Sequence, residues 1–575
     1  MLSRRDVLRR GALMTGAATT RRFARGARAA GGASFDHGVA SGDPTASSVV
    51  LWTRVTTTAD PVALRWTIAR DSAMGEVVRS GEAVAHADAD HTVHVDVDRL
   101  DPATSYSFVF ELSDGTRSLV GRTRTARAVA DDGEIRLGVV SCSSFAAGAF
   151  TAYGHLAGAD VDLVVHLGDY LYDIGRGPRR HEPPDTPVSL DDYRRRHAQQ
   201  RSDPDLQRLH AAVPMAPVWD DHDVAGDAWR SGAAGHDPDR HGPWEERRAA
   251  AIRAWLEWLP VRRPDPERPQ RIWRQLPLGG VGDLMLLDTR HDGRDEQVST
   301  GDDEGAAALA SPDRDLISKE QRAWLAEALT TSTATWRILG NQVVLTPLAF
   351  EIPAALARST SALGLTIEGK VVNPDAWDGY PAERTRVLDA VRAAGPTIVL
   401  TGDVHSSWAF EVVDDDGVPV TVEWVTPSVT SQPFSEIVGL PSPSLAPIAV
   451  DTIRGQLPQV RWAELTRHGF LVVALRSDEA QCDWWHVDLD EGGAEVAASW
   501  TVTPAESRLQ EATPLGPRDT TAPAPTVPAT TTSTMVGARD PAGGGGAPKG
   551  ALAAAGAVAA AGAAAVVAIR RRGHR

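Results

Sequence analysis

Cysteine is nearly absent from this chain: Cys142 and Cys482 are the only two in 575 residues. That count excludes a disulfide-stapled scaffold and leaves either one long-range bridge or two free thiols. Positive charge is also short. Lys and Arg total 59 against 76 Asp and Glu, a formal net charge of −17, so general nucleic-acid binding is excluded for want of groups to neutralise a phosphate backbone. A phosphate ester stays within reach, because bound multivalent cations reverse the local field. No Gly-x4-Gly-Lys-Ser/Thr loop and no Gly-x-Ser-x-Gly elbow occurs, which removes support for P-loop NTPase and serine-hydrolase chemistry. No repeat of fixed period is visible.

What is present reads as globular. Hydrophobic residues make up 42% and charged residues 23%, with 17 Trp, and the length predicts two to four structural units rather than one core. Residues 1–33 carry a twin arginine, Arg4-Arg5, before a short apolar run, then a small-residue stretch from Ala29 to Ala33. This is the pattern of a Tat-type export signal. Residues 513–549 are rich in Thr, Pro and Gly, with little to bury, and read as a flexible linker. Residues 550–569 are uncharged and end at Arg570-Arg571-Arg572. A helix there would span about 30 Å at ~1.5 Å per residue, so a transmembrane anchor is expected, with 570–575 as a basic cytoplasmic tail. The expected location is extracytoplasmic, tethered to the cell membrane.

Between these ends the pattern changes once. Residues 34–127 hold short β-prone runs such as Val49-Val50-Leu51-Trp52 and Val62-Ala63-Leu64-Arg65-Trp66, separated by turn residues. The Leu100-to-Phe108 stretch, with Tyr106, looks like the tyrosine-bearing corner of fibronectin-type or immunoglobulin-like sandwiches. A small N-terminal β-sandwich is expected there. From 134 to 505, apolar strands alternate with helical stretches such as Glu245 to Trp258 and Lys319 to Leu329. That alternation predicts an α/β class, with ligand sites at strand ends.

Four of those strand ends carry metal-binding chemistry: Cys142; Asp169 with Tyr172; Asp220-Asp221-His222-Asp223; and Asp403-Val404-His405. Carboxylates bridge hard cations, imidazole completes borderline sites, and thiolate or phenolate favours iron. Each motif alone has a plain structural reading, as a helix cap, a solvated turn or a hydrogen-bonded core histidine. Together they predict a multinuclear metal site.

Several spaced blocks then carry a family resemblance. Gly168-Asp169-Tyr170-Leu171-Tyr172, Trp219-Asp220-Asp221-His222-Asp223, Leu400-Thr401-Gly402-Asp403-Val404-His405-Ser406-Ser407-Trp408 and Ser141-Cys142-Ser143 occur in order. Leu287-Asp288-Thr289-Arg290, Gly340-Asn341-Gln342 and Trp377-Asp378-Gly379-Tyr380-Pro381 add to them. From about Phe35 to Val502 the chain resembles the PhoD-like alkaline phosphatases and phosphodiesterases, metallophosphoesterases of the calcineurin-like superfamily. The resemblance implies an αββα metallophosphoesterase sandwich at 134–505, a bound Fe3+ and one or two Ca2+. It implies a phosphoric ester hydrolase acting on mono- and diesters through metal-assisted attack of water.

Carried over residue by residue, Cys142, Asp169, Tyr172, Asp221, Asp403 and His405 would be metal ligands. Asp221, His222, Arg247 and Arg248 would serve catalysis, and Asp227 and Arg248 would contact substrate. Position 223 departs from the family's Glu, and Gly226 and Asp227 stand where one or two Asn are usual. An extra carboxylate at 227 would repel phosphate. Expected partners are small-molecule or lipid phosphate esters. Two alternatives remain: a lipid-directed phosphodiesterase or phospholipase D, and a non-catalytic surface binding protein with a decayed site.

Overall fold

The computed structural model describes residues 32–518, apart from 176, 299–302, 352–364, 368–369 and 441. Residues 1–31 of the leader, most of the linker, the 550–569 span and the basic tail lie outside the described residues. Among the described residues no helix is long and apolar enough to cross a membrane. The expected membrane tether is corrected on that ground, and neither the anchor nor a membrane partner is carried forward.

The fold is mixed α/β, built on two large sheets. One has ten strands and the other seven. At the centre of the first, Ile135–Val140, Leu163–Leu167 and Met215–Val218 run parallel. The second centres on four parallel strands, Gly282–Leu286, Trp336–Asn341, Thr397–Thr401 and Pro419–Val425. These strands read as nearly unbroken apolar runs because both faces of a parallel sheet are covered.

Alternation along each strand decides which face meets which layer. Leu137, Val139, Leu163, Val165 and Leu167 of the first sheet pack against Leu284, Leu286, Ile338, Ile398 and Leu400 of the second. On the outer face of the first sheet, Val140, Val164 and Val218 meet Tyr193, Leu206, Leu209 and Trp255, from helices Leu190–Gln200, Pro204–Ala212 and Trp244–Trp258. On the other side Met285, Leu287, Leu339 and Val399 meet Leu325, Leu329, Val387 and Leu388, from helices Lys319–Thr331 and Pro381–Ala394. The apolar core therefore runs through all the layers.

The N-terminal region is not a closed unit of its own. Val39–Gly42, Val49–Arg54 and Thr92–Val97 complete one edge of the ten-stranded sheet, joined through the parallel pairing of Gly42 with Met215. A separate four-stranded sheet, Val77–Ala85, Val62–Ala69, Ser105–Leu112 and Gly121–Arg124, packs on that edge. Tyr106 is buried, and its hydroxyl accepts a hydrogen bond from the Asp101 N–H at 2.9 Å. Gly42 has to be glycine: a Cβ there would lie 2.1 Å from the Pro260 carbonyl oxygen.

Candidate metal centre

The parallel strands end in step. Cys142, Asp169, Asp220, Asp288 and Asp403 each lie two residues past the last residue of a strand. A strand must turn sharply there if its next polar side chain is to point back over the sheet edge. The backbone records that turn: Cys142, Asp169, Asp403 and His405 have φ of 61°, 53°, 66° and 51°. Non-glycine residues in this region carry a cost of roughly 1–3 kcal/mol each, and such residues cluster at functional sites. Gly168, at φ 103°, allows the turn before Asp169, since a Cβ would meet that of Asp220 at 2.4 Å.

Three donor groups result, and they overlap. Cys142, Asp169 and His405 form one; Asp169, Asp221 and His222 a second; Asp220, Asp221 and Asp403 a third. In each, the ligand atoms lie within 4.8 Å of one another. Asp169 belongs to two groups and Asp221 to two, so bound cations would share carboxylates. Tyr172 joins the first group: its hydroxyl is 3.0 Å from His405 Nε2. The Gln432 carbonyl lies 2.8 Å from His405 Nδ1. A carbonyl only accepts, so Nδ1 carries the proton and Nε2 is the free donor atom.

The electrostatics of these residues fit a cation. Burial, and then the charge of Asp221, pushes the Asp169 carboxyl well above its ordinary range. Asp403 is raised in the same direction by burial and then by Asp220. Burial, followed by Asp169, raises the Cys142 thiol. Asp220 Oδ2 is buried with no hydrogen-bond partner among the described residues. Crowded, desolvated carboxylates of this kind become favourable when positive charge sits between them.

Part of that charge comes from the chain itself. Arg290 is fully buried and reaches Asp220 at 2.5 Å, Asp403 at 2.9 Å and Asp375 at 2.7 Å. Its guanidinium is 3.7 Å from Asp221. In the sequence Arg290 stands only within the Leu287-Asp288-Thr289-Arg290 block, with no role of its own. Asp375 carries no such signal, and Asp223, expected as part of the Asp220-to-Asp223 donor run, instead accepts from the N–H groups of Asp169, Leu171 and Asp220 at 2.8, 3.2 and 2.9 Å. Asp223 thereby pins two ligand-bearing loops to each other. The available signal was Asp223's place beside Asp220-Asp221-His222.

The remaining candidates fall as follows. Arg247 is 1% exposed, and its donors are engaged by the Tyr193 hydroxyl, the Gly235 and Val224 carbonyls and Asp173 at 3.0–3.3 Å. Arg248 bonds Glu245 and the Arg230 carbonyl, each at 2.5 Å. Asp227 is exposed, and its N–H donates to Asp221 Oδ2 at 2.5 Å. Both Cys142 and Cys482 are free thiols.

Residues 137–484 match the family described as PhoD-like phosphatase, and residues 18–127 match the PhoD-like phosphatase N-terminal domain. The chain belongs to the PhoD-like phosphatase family. It is 36% identical over 401 residues to alkaline phosphatase D of Bacillus subtilis (strain 168), covering 65% of each chain. It thus spans slightly under two thirds of that relative's length. A solved structure titled "Structure of PhoD" superposes with a TM-score of 0.73 at 29% identity, over 84% of this chain and 93% of that one. Within the PhoD-like match to residues 137–484 lie all three donor groups.

Proposed function

We propose that this chain is an exported PhoD-like alkaline phosphatase that hydrolyses phosphate mono- and diesters at the cluster around Asp169. The supporting observation is the overlap of the three donor groups at the ends of strands from both large sheets. Separate groups scattered over the surface would not support it.

In this reading the two facing sheets with their outer helices are the αββα sandwich of metallophosphoesterases, at 134–505. Residues 34–127 form an immunoglobulin-like layer beside it, and 1–33 an export leader. Cys142, Asp169, Tyr172 and His405 would hold Fe3+, because sulfur and phenolate donors favour it. The all-oxygen group of Asp220, Asp221 and Asp403 would hold Ca2+. When bound, such cations draw the phosphoryl oxygens and acidify water at the site.

The chain's own residues prepare that chemistry. Asp169 and Asp221 supply the shared carboxylates. The Gln432 carbonyl keeps the proton of His405 on Nδ1, so Nε2 faces inward beside the Tyr172 hydroxyl. Arg290 offsets carboxylate charge that substrate would otherwise meet. With their guanidinium groups already engaged, Arg247 and Arg248 are read as supports of the site rather than its phosphate contacts. No feature singles out lipid substrates.

Asp169→Asn should abolish turnover of p-nitrophenyl phosphate and bis-p-nitrophenyl phosphate while leaving the circular dichroism spectrum intact. Wild-type turnover by that variant would refute the assignment. Elemental analysis of the wild-type protein should find iron, with a visible phenolate-to-Fe3+ band. A colourless, iron-free protein would remove Tyr172 and Cys142 from the ligand set.

A further inference from the structure

Two acidic side chains, Asp227 and Asp375, stand beside the metal centre but outside all three donor groups. They differ in what surrounds them. The Asp375 carboxylate accepts from Arg290 at 2.7 and 2.8 Å, from Arg294 at 2.6 Å and from Gln297 Nε2 at 2.7 Å, so its charge is balanced. Asp227 has no such company. Its N–H donates to Asp221 Oδ2 at 2.5 Å, and its carbonyl accepts from the Ala234 N–H and from Gln297 Nε2, each at 3.3 Å. These contacts hold its backbone against the centre at φ 53°. The carboxylate itself belongs to an exposed residue and has no hydrogen bond or ion pair among the described residues. The nearby guanidinium groups are engaged elsewhere: Arg290 with Asp220, Asp375 and Asp403, Arg294 with Asp375, Arg247 with Asp173 and Arg248 with Glu245.

An unbalanced carboxylate fixed next to a shared donor acts on substrates according to their charge. A phosphate monoester is close to a dianion above neutral pH, because its second proton leaves at about pH 6. A diester has one ionisable oxygen and carries a single charge. Cations at the donor groups attract both, whereas Asp227 repels the monoester about twice as strongly. We infer that this site favours singly charged phosphodiesters over dianionic monoesters, and that Asp227 is the residue that sets the preference. This rests on the phosphatase reading above and narrows its substrate class. It also gives the departure from Asn at position 227 a use in a working site, since Asp in place of Asn adds one charge with almost no change of shape. Two unit charges a few ångströms apart at a half-hydrated rim interact by an amount worth roughly tenfold in affinity, and salt weakens that interaction.

The test uses the protein with the metal it carries on purification. Asp227→Asn and Asp227→Glu are compared with wild type for kcat and KM on p-nitrophenyl phosphate and bis-p-nitrophenyl phosphate, at about pH 8 where the monoester is a dianion, in low and high salt. Inhibition by inorganic phosphate and metal content by elemental analysis are read alongside. Asn adopts the left-handed backbone conformation as readily as Asp, so Asp227→Asn keeps the fold. It should raise kcat/KM for the monoester relative to the diester roughly tenfold, mainly through KM, and tighten inhibition by inorganic phosphate by a similar factor. Asp227→Glu should keep the wild-type ratio. High salt should narrow the wild-type preference and leave that of Asp227→Asn nearly unchanged. An unchanged ratio in a metal-bearing Asp227→Asn overturns the inference, while continued turnover of either ester leaves the phosphatase reading standing. Loss of metal and of both activities in Asp227→Asn would make Asp227 a ligand and overturns it too. A wild type that turns over neither ester overturns both.

Discussion

Arg290 sets the charge balance of the site. One buried guanidinium faces Asp220, Asp221, Asp375 and Asp403, so removing it leaves several desolvated carboxylates facing one another. Breaking a buried ion pair by deleting one partner costs about 3–5 kcal/mol. Arg290→Gln should lower stability by that order, and the loss should be larger in EDTA than with metal present, because bound cations replace part of the missing charge. Thermal denaturation in both conditions measures it; equal losses would show that no cation shares these carboxylates. Arg290 was visible in the sequence, but only as the last residue of the Leu287-Asp288-Thr289-Arg290 block. Its importance comes from the company it keeps, and Asp220 is 70 residues away.

Between the elements, a layer of buried histidines joins the ten-stranded sheet to its helices. His166 on Leu163–Leu167 meets the Tyr153 hydroxyl at 2.7 Å, and His210 on Pro204–Ala212 meets that of Tyr170 at 3.0 Å. His197 on Leu190–Gln200 stacks between Tyr170 and Trp258. Burial pushes His166 and His197 down to about 3, and His210 falls in the same direction. The sign follows directly. A histidine whose folded pKa is depressed is neutral in the native state but takes up a proton when unfolded, so stability is intact above about 6.5 and lost as pH falls toward 3. Each group contributes about 1.4 kcal/mol per pH unit in that window. Acid unfolding should therefore begin below pH 6.5, and His197→Gln should shallow the slope in denaturation curves taken from pH 7 to 4. The apolar run before Asp169 marked the strand, but nothing in the sequence could show that these three rings gather around Tyr170.

At the scale of the whole molecule, the N-terminal layer is bolted through Asp43 to the part of the chain that carries the donor groups. Its carboxylate takes two hydrogen bonds from Arg274, at 2.7 and 3.0 Å, and one from the Arg262 N–H at 2.8 Å. Trp52 adds a hydrogen bond from its indole to the Glu257 carbonyl. The two halves should unfold in one calorimetric transition. Asp43→Ala should cost about 3–5 kcal/mol through the orphaned Arg274, splitting or broadening that transition. A single transition at the wild-type temperature would mean the joint carries no stability. Composition suggested a separate β-sandwich because its strands are short and bounded by turns. Three of them instead extend the large sheet, joined to it by the parallel pairing of Gly42 with Met215 and by the Asp43 N–H donated to the Met215 carbonyl.

The sequence by itself determined the chemistry of the site. Each donor follows an apolar strand within five residues, and a strand and the loop that ends it are neighbours in the chain, so thiol, phenol, carboxylate and imidazole could be read off directly. Only the tertiary structure decided how charge is distributed among them. Arg247 looked free to meet phosphate, yet it is paired with Asp173, 74 residues away, while the less conspicuous Arg290 stands among the carboxylates. Which cation a buried carboxylate meets depends on desolvation and on distances of a few ångströms between distant segments, and neither is encoded in local spacing.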